Sequence, residues 1–219
     1  MNSIDKRNSV KKDYDLIASQ YFVEYGTLLE DIELINKFES YLENNSTILD
    51  LGGGVGKLSN YFIQKGFKSI CYDFSENMKK YAQENFPDVP FILDDILNVK
   101  NHFNDNSIEA ITSMYSLFHI PRENIKHLFI DINSVLKENG LFCFSLQLGN
   151  GEDFVDEPYL KENGKKVLYM NYLTKDEIYE LINNSNFDII YETEKHEIGD
   201  NVIGEDGNDA IYIIARKRS

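Results

Sequence analysis

The sequence TILDLGGGVGKLSNYF, residues 47–62, places glycines directly after a strand-like run. A short apolar run reaches Asp50, glycines follow, and the spacing of Leu58, Tyr61 and Phe62 then predicts a helix. Such glycines let the backbone turn sharply through positive φ and let a ligand lie against the main chain. The N–H groups of the next helix would point at that ligand. By itself the pattern is a weak signal, because structural turns and dinucleotide-binding enzymes use similar loops.

The rest of the chain alternates predicted helices and strands with short breaks, which favours an α/β fold with a doubly wound, mostly parallel sheet. The strand-like runs are TILDL, KSICYD, VPFILDD, SIEAITSMYS and GLFCFSLQ. Two further β runs, FDIIYETEKHEI and DAIYIIARKR, have no helical pattern between them. We therefore expect an antiparallel pair at the sheet edge, in contrast to a dinucleotide-binding fold, whose last strands are parallel.

The helix signals divide the chain into parts of one predicted domain, residues 1–219. Apolar residues from Leu28 to Leu42 recur at helical spacing, so residues 27–43 are predicted to form an amphipathic helix. Residues 121–138 supply another helix, and TKDE at 174–177 is a capping box. We expect a helical N-terminal cap (1–45), a ligand-binding core (46–148), an insertion (147–173), and a C-terminal helix with a β-hairpin (174–219).

Composition argues against several functional classes. The chain has 219 residues and a net charge of −15, and its basic clusters, KRNSVKK and ARKRS, lie at its ends, which disfavours a nucleic-acid substrate. No apolar run approaches the ~20 residues of a membrane span, and the polar first residues lack a signal-peptide core. Both cysteines, Cys71 and Cys143, lie in strand-like runs, so we expect reduced thiols, no metal site and a cytoplasmic protein.

Acidic residues end three of the predicted parallel strands. Asp50 ends the first strand, Asp73 the second and Asp95 the third. Asp73 follows Gly52 by about 20 residues, which is the spacing of an acid that binds a ribose diol. Asp94 is the weaker candidate beside Asp95 because of the register set by Phe91. One acid at a strand end is commonly a turn former. Three at one sheet edge, where ligands bind in open α/β sheets, predict a binding site.

From residue 47 to 146 the chain resembles the core of class I S-adenosylmethionine-dependent methyltransferases. ILDLGGGVGKLSNYFIQKG resembles their glycine-rich motif, ICYDFSENMKKYA the motif with the ribose acid, and FILDDIL the adenine-side acid. The family's segment after strand four resembles SMYSLFHI, and the helix and strand that follow it resemble DINSVLKENGLFCFSL. Upstream, the N-terminal cap motif of the small-molecule members resembles YDLIASQY. The resemblance implies a seven-stranded Rossmann-like sheet with a reversed last strand and S-adenosylmethionine as cofactor. Gly53 stands where the family often has Cys, Ser or Thr.

The resemblance implies a division of labour among the site residues. Asp73 would hold the ribose hydroxyls, and Asp95 with the Ile96 amide would meet the adenine edge. Asp50 would organise the loop around the cofactor's amino group, and Tyr21 would close from above. The full set that the resemblance assigns to cofactor binding is Tyr21, Asp50, Gly52, Gly54, Gly56, Asp73, Phe74, Met78, Asp95, Ile96 and Ser113.

Methyl transfer is an in-line displacement that needs alignment of a nucleophile and exclusion of water more than a base. His119, which follows the fourth strand, is the first candidate for a general base, or else packs at the next helix; Tyr115 is its rival, as a hydrogen-bond donor or a wall. The insertion, with Asp153, Asp156, Glu157, Tyr159, Tyr169 and Tyr172, is expected to contribute to the pocket of a small-molecule acceptor with a nitrogen or oxygen nucleophile.

Two other functions stay open at this point. The glycine loop suits an NAD-type oxidoreductase, although the acid after strand three and the final hairpin weaken that reading. Alternatively, a methyltransferase-like fold binds the cofactor without turnover. Methylation of nucleic-acid amino groups fits poorly, because SMYS stands where such enzymes carry an Asn/Asp-Pro-Pro-Tyr-type tetrapeptide.

Overall fold

The computed structural model describes residues 1–29, 31–155, 168–197 and 208–219. Within them the strands, in chain order, are β1 (Thr47–Leu51), β2 (Lys68–Asp73), β3 (Phe91–Leu93), β4 (Ile108–Ser113), β5 (Leu136–Gln147), β6 (Gly151–Val155), β7 (Leu168–Tyr172), β8 (Phe187–Glu197) and β9 (Asn208–Lys217). Seven of these form one sheet in the order β3-β2-β1-β4-β5-β9-β8, and β6 pairs with β7 separately.

The direction of the strands confirms the fold predicted from the sequence. Strands β1 to β5 run parallel, with β1 between β2 and β4. Strand β9 is antiparallel to both of its neighbours, β5 and β8. The result is a Rossmann-like, doubly wound, seven-stranded sheet with a reversed C-terminal strand.

The helices are α1 (Ser3–Tyr25), α2 (Ile32–Glu39), α3 (Lys57–Gln64), α4 (Glu76–Asn85), α5 (Arg122–Val135) and α6 (Lys175–Asn184), with 3₁₀ turns at Ile96–Asn101 and Leu117–His119. The predicted helix over 27–43 is wrong in extent. It begins only after Asp31, whose φ of 53° breaks the helix, and Leu28 is 53% exposed. Helix α5 stops at Val135 rather than residue 138 because β5 begins at once.

The core lies on both faces of the sheet because neighbouring strand residues point to opposite sides. On one face, Leu49 and Phe142 pack with Phe129 of α5. On the other, Ile48 and Cys143 pack with residues of α2 and α3. Cys71 and Cys143 are buried free thiols. Helix α1 lies across α4 and β7, at the carboxyl edge of the parallel strands.

The insertion after β5 contains the β6–β7 hairpin, in which Gly151 pairs with Tyr172. Of the acceptor-side residues expected there, Asp156, Glu157 and Tyr159 lie outside the described residues. Across the described ranges, no helix is both long and apolar enough to cross a membrane.

Candidate active site

The glycine loop after β1 adopts the left-handed conformation that its composition predicts. Gly52, Gly54 and Gly56 have φ of 71°, 55° and 77°. A Cβ at Gly52 would meet the Ser116 side chain at 2.4 Å, whereas one at Gly54 would find its nearest atom, in the Tyr21 ring, 4.0 Å away. The backbone at Gly54 therefore faces open space beneath Tyr21. Gly56 instead caps α3 and faces Ala82 of α4.

Asp73, at the end of β2, is held against this loop. One carboxylate oxygen accepts from the Gly54 N–H at 3.0 Å, and the other accepts from the Ser75 N–H at 2.9 Å. Burial raises the pKa of Asp73 to about 6, although both N–H donors and the positive charge of Arg7 oppose that rise. The loop and the start of α4 thus fix one carboxylate at the carboxyl end of the sheet.

A cleft of about 540 Å³ opens above this pair, here called the first cleft. It brings together most of the residues that the sequence assigns to the site and adds five others. The lining residues are Arg7, Val10, Tyr14, Tyr21, Gly52, Gly54, Asp73, Phe74, Met78, Ile96, Met114, Tyr115, Ser116 and His119. Four assigned residues do not line it: Asp50, Gly56, Asp95 and Ser113.

A second cleft, of about 510 Å³, adjoins the first and shares with it a wall formed by Tyr21, Gly52, Met114 and Tyr115. Its remaining lining includes Leu29, Asp31, Ile35, Asp50, Gly53, Lys57 and Leu58. None of the insertion residues within the described ranges lines either cleft. The two clefts therefore lie side by side and share these four lining residues.

Asp50, which lines the second cleft, and Ser113 hold the strand ends in place. The Asp50 carboxylate accepts from the hydroxyls of Ser59 at 3.0 Å and Thr112 at 2.8 Å. Burial raises the pKa of Asp50 to about 6. The Ser113 hydroxyl donates to the carbonyl of Leu51 at 2.9 Å, which ties the end of β4 to β1. Both side chains support the loop rather than face the first cleft.

Asp95 forms a two-pronged ion pair with Arg7 of α1. Its oxygens accept from the Arg7 Nε at 2.9 Å and Nη2 at 2.8 Å, and Oδ1 also accepts from the Leu97 N–H at 3.0 Å. The sequence does not single out Arg7, because it stands in a basic cluster, KRNSVKK, that contains one apolar residue. The available signal was periodic: Arg7, Val10 and Ile17 are buried on one face of α1, on the helical spacing that YDLIASQY continues.

His119 joins α1 to the β6–β7 hairpin. Its Nε2 lies 2.8 Å from the Tyr14 hydroxyl, and its Nδ1 lies 2.8 Å from the carbonyl oxygen of Tyr169. The imidazole is buried, and burial is the main cause that lowers its pKa to about 4. His119 therefore lies in the site that the sequence predicted, but as a neutral imidazole at pH 7.

Tyr115 forms the wall between the two clefts. Its backbone is left-handed, with φ of 55°, and its N–H donates to the Ser145 hydroxyl at 2.8 Å. Its hydroxyl donates to Asp31 and lies 3.0 Å from the Tyr212 hydroxyl. Burial, with Tyr212 and Asp31 nearby, raises its pKa, so Tyr115 stays protonated.

Known proteins share both the sequence pattern and the fold. A family model described as a methyltransferase domain matches residues 19–192. A demethylmenaquinone methyltransferase of Chlamydia caviae is 33% identical over 108 residues, which is 48% of this chain and 45% of that protein. An uncharacterized methyltransferase of Alkaliphilus oremlandii is 22% identical over 167 residues, or 76% of this chain and 74% of the relative. The chain spans about half the length of the first curated relatives it matches.

Solved structures show the same fold at low identity. A Burkholderia thailandensis 1,6-didemethyltoxoflavin-N1-methyltransferase, crystallised with 1,6-didemethyltoxoflavin and S-adenosylhomocysteine, superposes with a TM-score of 0.74. It is 14% identical, and the match covers 100% of this chain and 92% of that one. An S-adenosylmethionine-dependent methyltransferase from Methanosarcina mazei gives a TM-score of 0.72 at 19% identity, covering 87% and 98%.

Proposed function

The chain belongs to the methyltransferase-domain family, whose model spans residues 19–192, and on that premise we propose that it transfers a methyl group from S-adenosylmethionine to a small-molecule acceptor. The observation that carries the proposal is the contact between Gly54 and Asp73. A left-handed glycine leaves its Cα side open to the first cleft while its N–H fixes the Asp73 carboxylate. Bare backbone beside a fixed carboxylate suits a ribose with two hydroxyl donors.

The residues around this contact fit the rest of the cofactor. Phe74, Met78 and Ile96 offer apolar contact for a base at one end of the first cleft. Gly53 and Lys57 line the second cleft, and the ammonium of Lys57 suits a carboxylate there. We therefore assign the nucleoside end of the cofactor to the first cleft and the amino-acid end to the second.

When bound, the cofactor supplies an electrophilic methyl group on a positively charged sulfur. The chain's part is to orient the acceptor and to exclude water, and orientation can contribute up to ~7–11 kcal/mol in ideal cases. Tyr21 and Tyr115 line the wall that both clefts share. Aromatic faces stabilise a nearby cation by roughly 0.5–2 kcal/mol each, so these rings suit a sulfonium at that wall.

The part of the first cleft that is lined by Tyr14, Ser116 and His119 is then available to the acceptor. These groups are two hydroxyls and a neutral imidazole, which suit a polar, uncharged acceptor with a nitrogen or oxygen nucleophile. The Burkholderia neighbour, crystallised with a small acceptor and S-adenosylhomocysteine, supports an acceptor of that size. The net charge of −15 speaks against a nucleic acid.

The proposal is tested by calorimetry with S-adenosylhomocysteine and NAD, followed by transfer of labelled methyl from S-adenosylmethionine to a panel of small amines, amides, phenols and thiols. We expect binding of S-adenosylhomocysteine but not of NAD, and label in at least one nitrogen or oxygen acceptor. Binding of NAD alone would favour an oxidoreductase. Binding of S-adenosylhomocysteine with no transfer to any class of acceptor would favour a non-catalytic protein.

A further inference from the structure

Arg7 of α1 is held by contacts to three other segments of the chain. Its guanidinium donates to both oxygens of Asp95 and, through Nη1, to the carbonyl oxygen of His119 at 3.1 Å. Its Cζ lies 4.5 Å from the centre of the Phe74 ring. The residue is only 8% exposed. One side chain therefore joins the N-terminal helix to the ends of β2 and β3 and to the turn after β4.

The geometry changes the role available to Asp95. The residue does not line the first cleft, whereas Arg7 does. Both Asp95 oxygens already accept hydrogen bonds from a charged donor, and charge-assisted, two-pronged pairs of this kind are strong. A purine amino group would have to compete with that pair for the carboxylate.

Arg7, in contrast, lines the first cleft and has N–H donors beyond those in its three hydrogen bonds. A guanidinium has five N–H donors, and three of them are used in the contacts to Asp95 and His119. Arg7 is also close enough to Asp73 to lower the pKa of that carboxyl. The positive charge of Arg7 thus acts on both Asp73 and Asp95.

We propose that Arg7 is a cofactor-positioning residue that closes α1 over the purine end of the first cleft, and that Asp95 anchors Arg7 instead of contacting the purine itself. The inference rests on the function proposed above. It also changes the expected selectivity: a carboxylate selects a purine 6-amino donor, whereas a guanidinium offers donors to ring nitrogens and to a 6-oxo group. Selectivity against a 6-oxo purine should therefore not depend on Asp95.

A double-mutant cycle tests the coupling. Arg7→Gln, Asp95→Asn and the double variant are titrated with S-adenosylhomocysteine and with its 6-oxo analogue, S-inosylhomocysteine. We expect each single change to weaken S-adenosylhomocysteine about tenfold, a difference of 1.4 kcal/mol, and the double variant to be no weaker than the weaker single variant. The ratio of the two affinities should be the same in Asp95→Asn as in the wild type.

The inference is overturned if the losses of binding free energy in the two single variants add up in the double variant. It is also overturned if the preference for S-adenosylhomocysteine over S-inosylhomocysteine disappears in Asp95→Asn alone, because the purine contact would then belong to Asp95. Arg7→Lys separates charge from geometry. It keeps the positive charge but not the two-pronged geometry, so we expect its affinity for S-adenosylhomocysteine to lie between those of the wild type and Arg7→Gln. Wild-type affinity in Arg7→Lys and Arg7→Gln would reject a positioning role.

Lys12→Gln is the matched control, because it removes a basic residue from an exposed position on the same helix. It should leave both affinities unchanged. Loss of affinity in this control as large as in Arg7→Gln would show a general charge effect and reject the specific pair. A wild-type protein that binds neither compound would contradict the proposed function itself, whereas wild-type binding with an additive cycle contradicts only the role of Arg7.

Discussion

The hydroxyl of Tyr14 lies 2.8 Å from Nε2 of His119, whose Nδ1 lies 2.8 Å from the carbonyl oxygen of Tyr169. A backbone carbonyl only accepts hydrogen bonds, so Nδ1 carries the proton and Nε2 accepts the hydrogen of Tyr14. Burial lowers the pKa of His119 to about 4. His119 is therefore poorly suited to remove a proton at neutral pH but well placed to orient the Tyr14 ring.

The first prediction separates orientation from base catalysis. If His119 positions Tyr14, then Tyr14→Phe and His119→Asn should each lower kcat by a similar factor and leave the Kd for S-adenosylhomocysteine nearly unchanged. Steady-state kinetics and calorimetry measure the two quantities. The wild-type kcat should show no inflection from His119 near its ordinary pKa of about 6.5. An inflection there that disappears in His119→Asn would identify a base instead.

The second prediction concerns the pH dependence of cofactor binding. Burial raises the pKa of Asp73 to about 6, and only the ionised carboxylate can accept from both ribose hydroxyls. The affinity for S-adenosylhomocysteine should therefore be highest at pH values far above 6 and should decline as the pH falls through that value. Calorimetry should find an affinity about tenfold lower one pH unit below the pKa of Asp73.

The matched variants for this test are Asp73→Asn and Asp50→Asn, because burial raises the pKa of both carboxyls to about 6. Asp73→Asn should bind more weakly and lose the pH dependence. Asp50→Asn should keep the decline that comes from Asp73, since Asp50 lines the second cleft and not the first, where the ribose is assigned. A pH dependence that persists in Asp73→Asn would refute the ribose role.

The sheet and the glycine loop were predictable because their signals are local. Strand-end acids, left-handed glycines and a terminal pair of β runs each follow from backbone geometry within a few residues. The capping box at Thr174 likewise marks the start of α6, where both hydrogen bonds of the motif are present. Such features depend little on distant parts of the chain.

The parts that escaped prediction depend on contacts between distant segments. Arg7 pairs with Asp95 across 88 positions of sequence, and His119 is neutral because α1 and β7 bury it. The polar residues of α1 obscured a helix whose buried face is narrow, and the spacing of Arg7 and Val10 becomes informative only when it is extended to Ile17. Burial and the pKa changes that follow from it arise only when the elements pack.

The third prediction concerns the wall between the clefts. The Tyr115 hydroxyl donates to Asp31 and meets Tyr212. Tyr115→Phe leaves these buried groups without that partner, so the free energy of unfolding should fall by about 1–3 kcal/mol in chemical denaturation. Tyr41→Phe, which removes a hydroxyl with no hydrogen bond among the described residues, should change it little. Equal effects of the two variants would show that the Tyr115 hydroxyl contributes no specific stability.

The last prediction uses two glycines that share a backbone conformation but not a location. Gly54 and Gly66 have φ of 55° and 91°, so alanine is strained at both. Gly54 faces the first cleft beneath Tyr21, whereas a Cβ at Gly66 would meet nothing within 4 Å. Each alanine variant should lose about 1 kcal/mol of stability through its left-handed backbone. Only Gly54→Ala should also weaken S-adenosylhomocysteine in calorimetry, because its methyl group occupies space that the ligand needs. If both variants bind like the wild type, the cofactor does not lie against this loop.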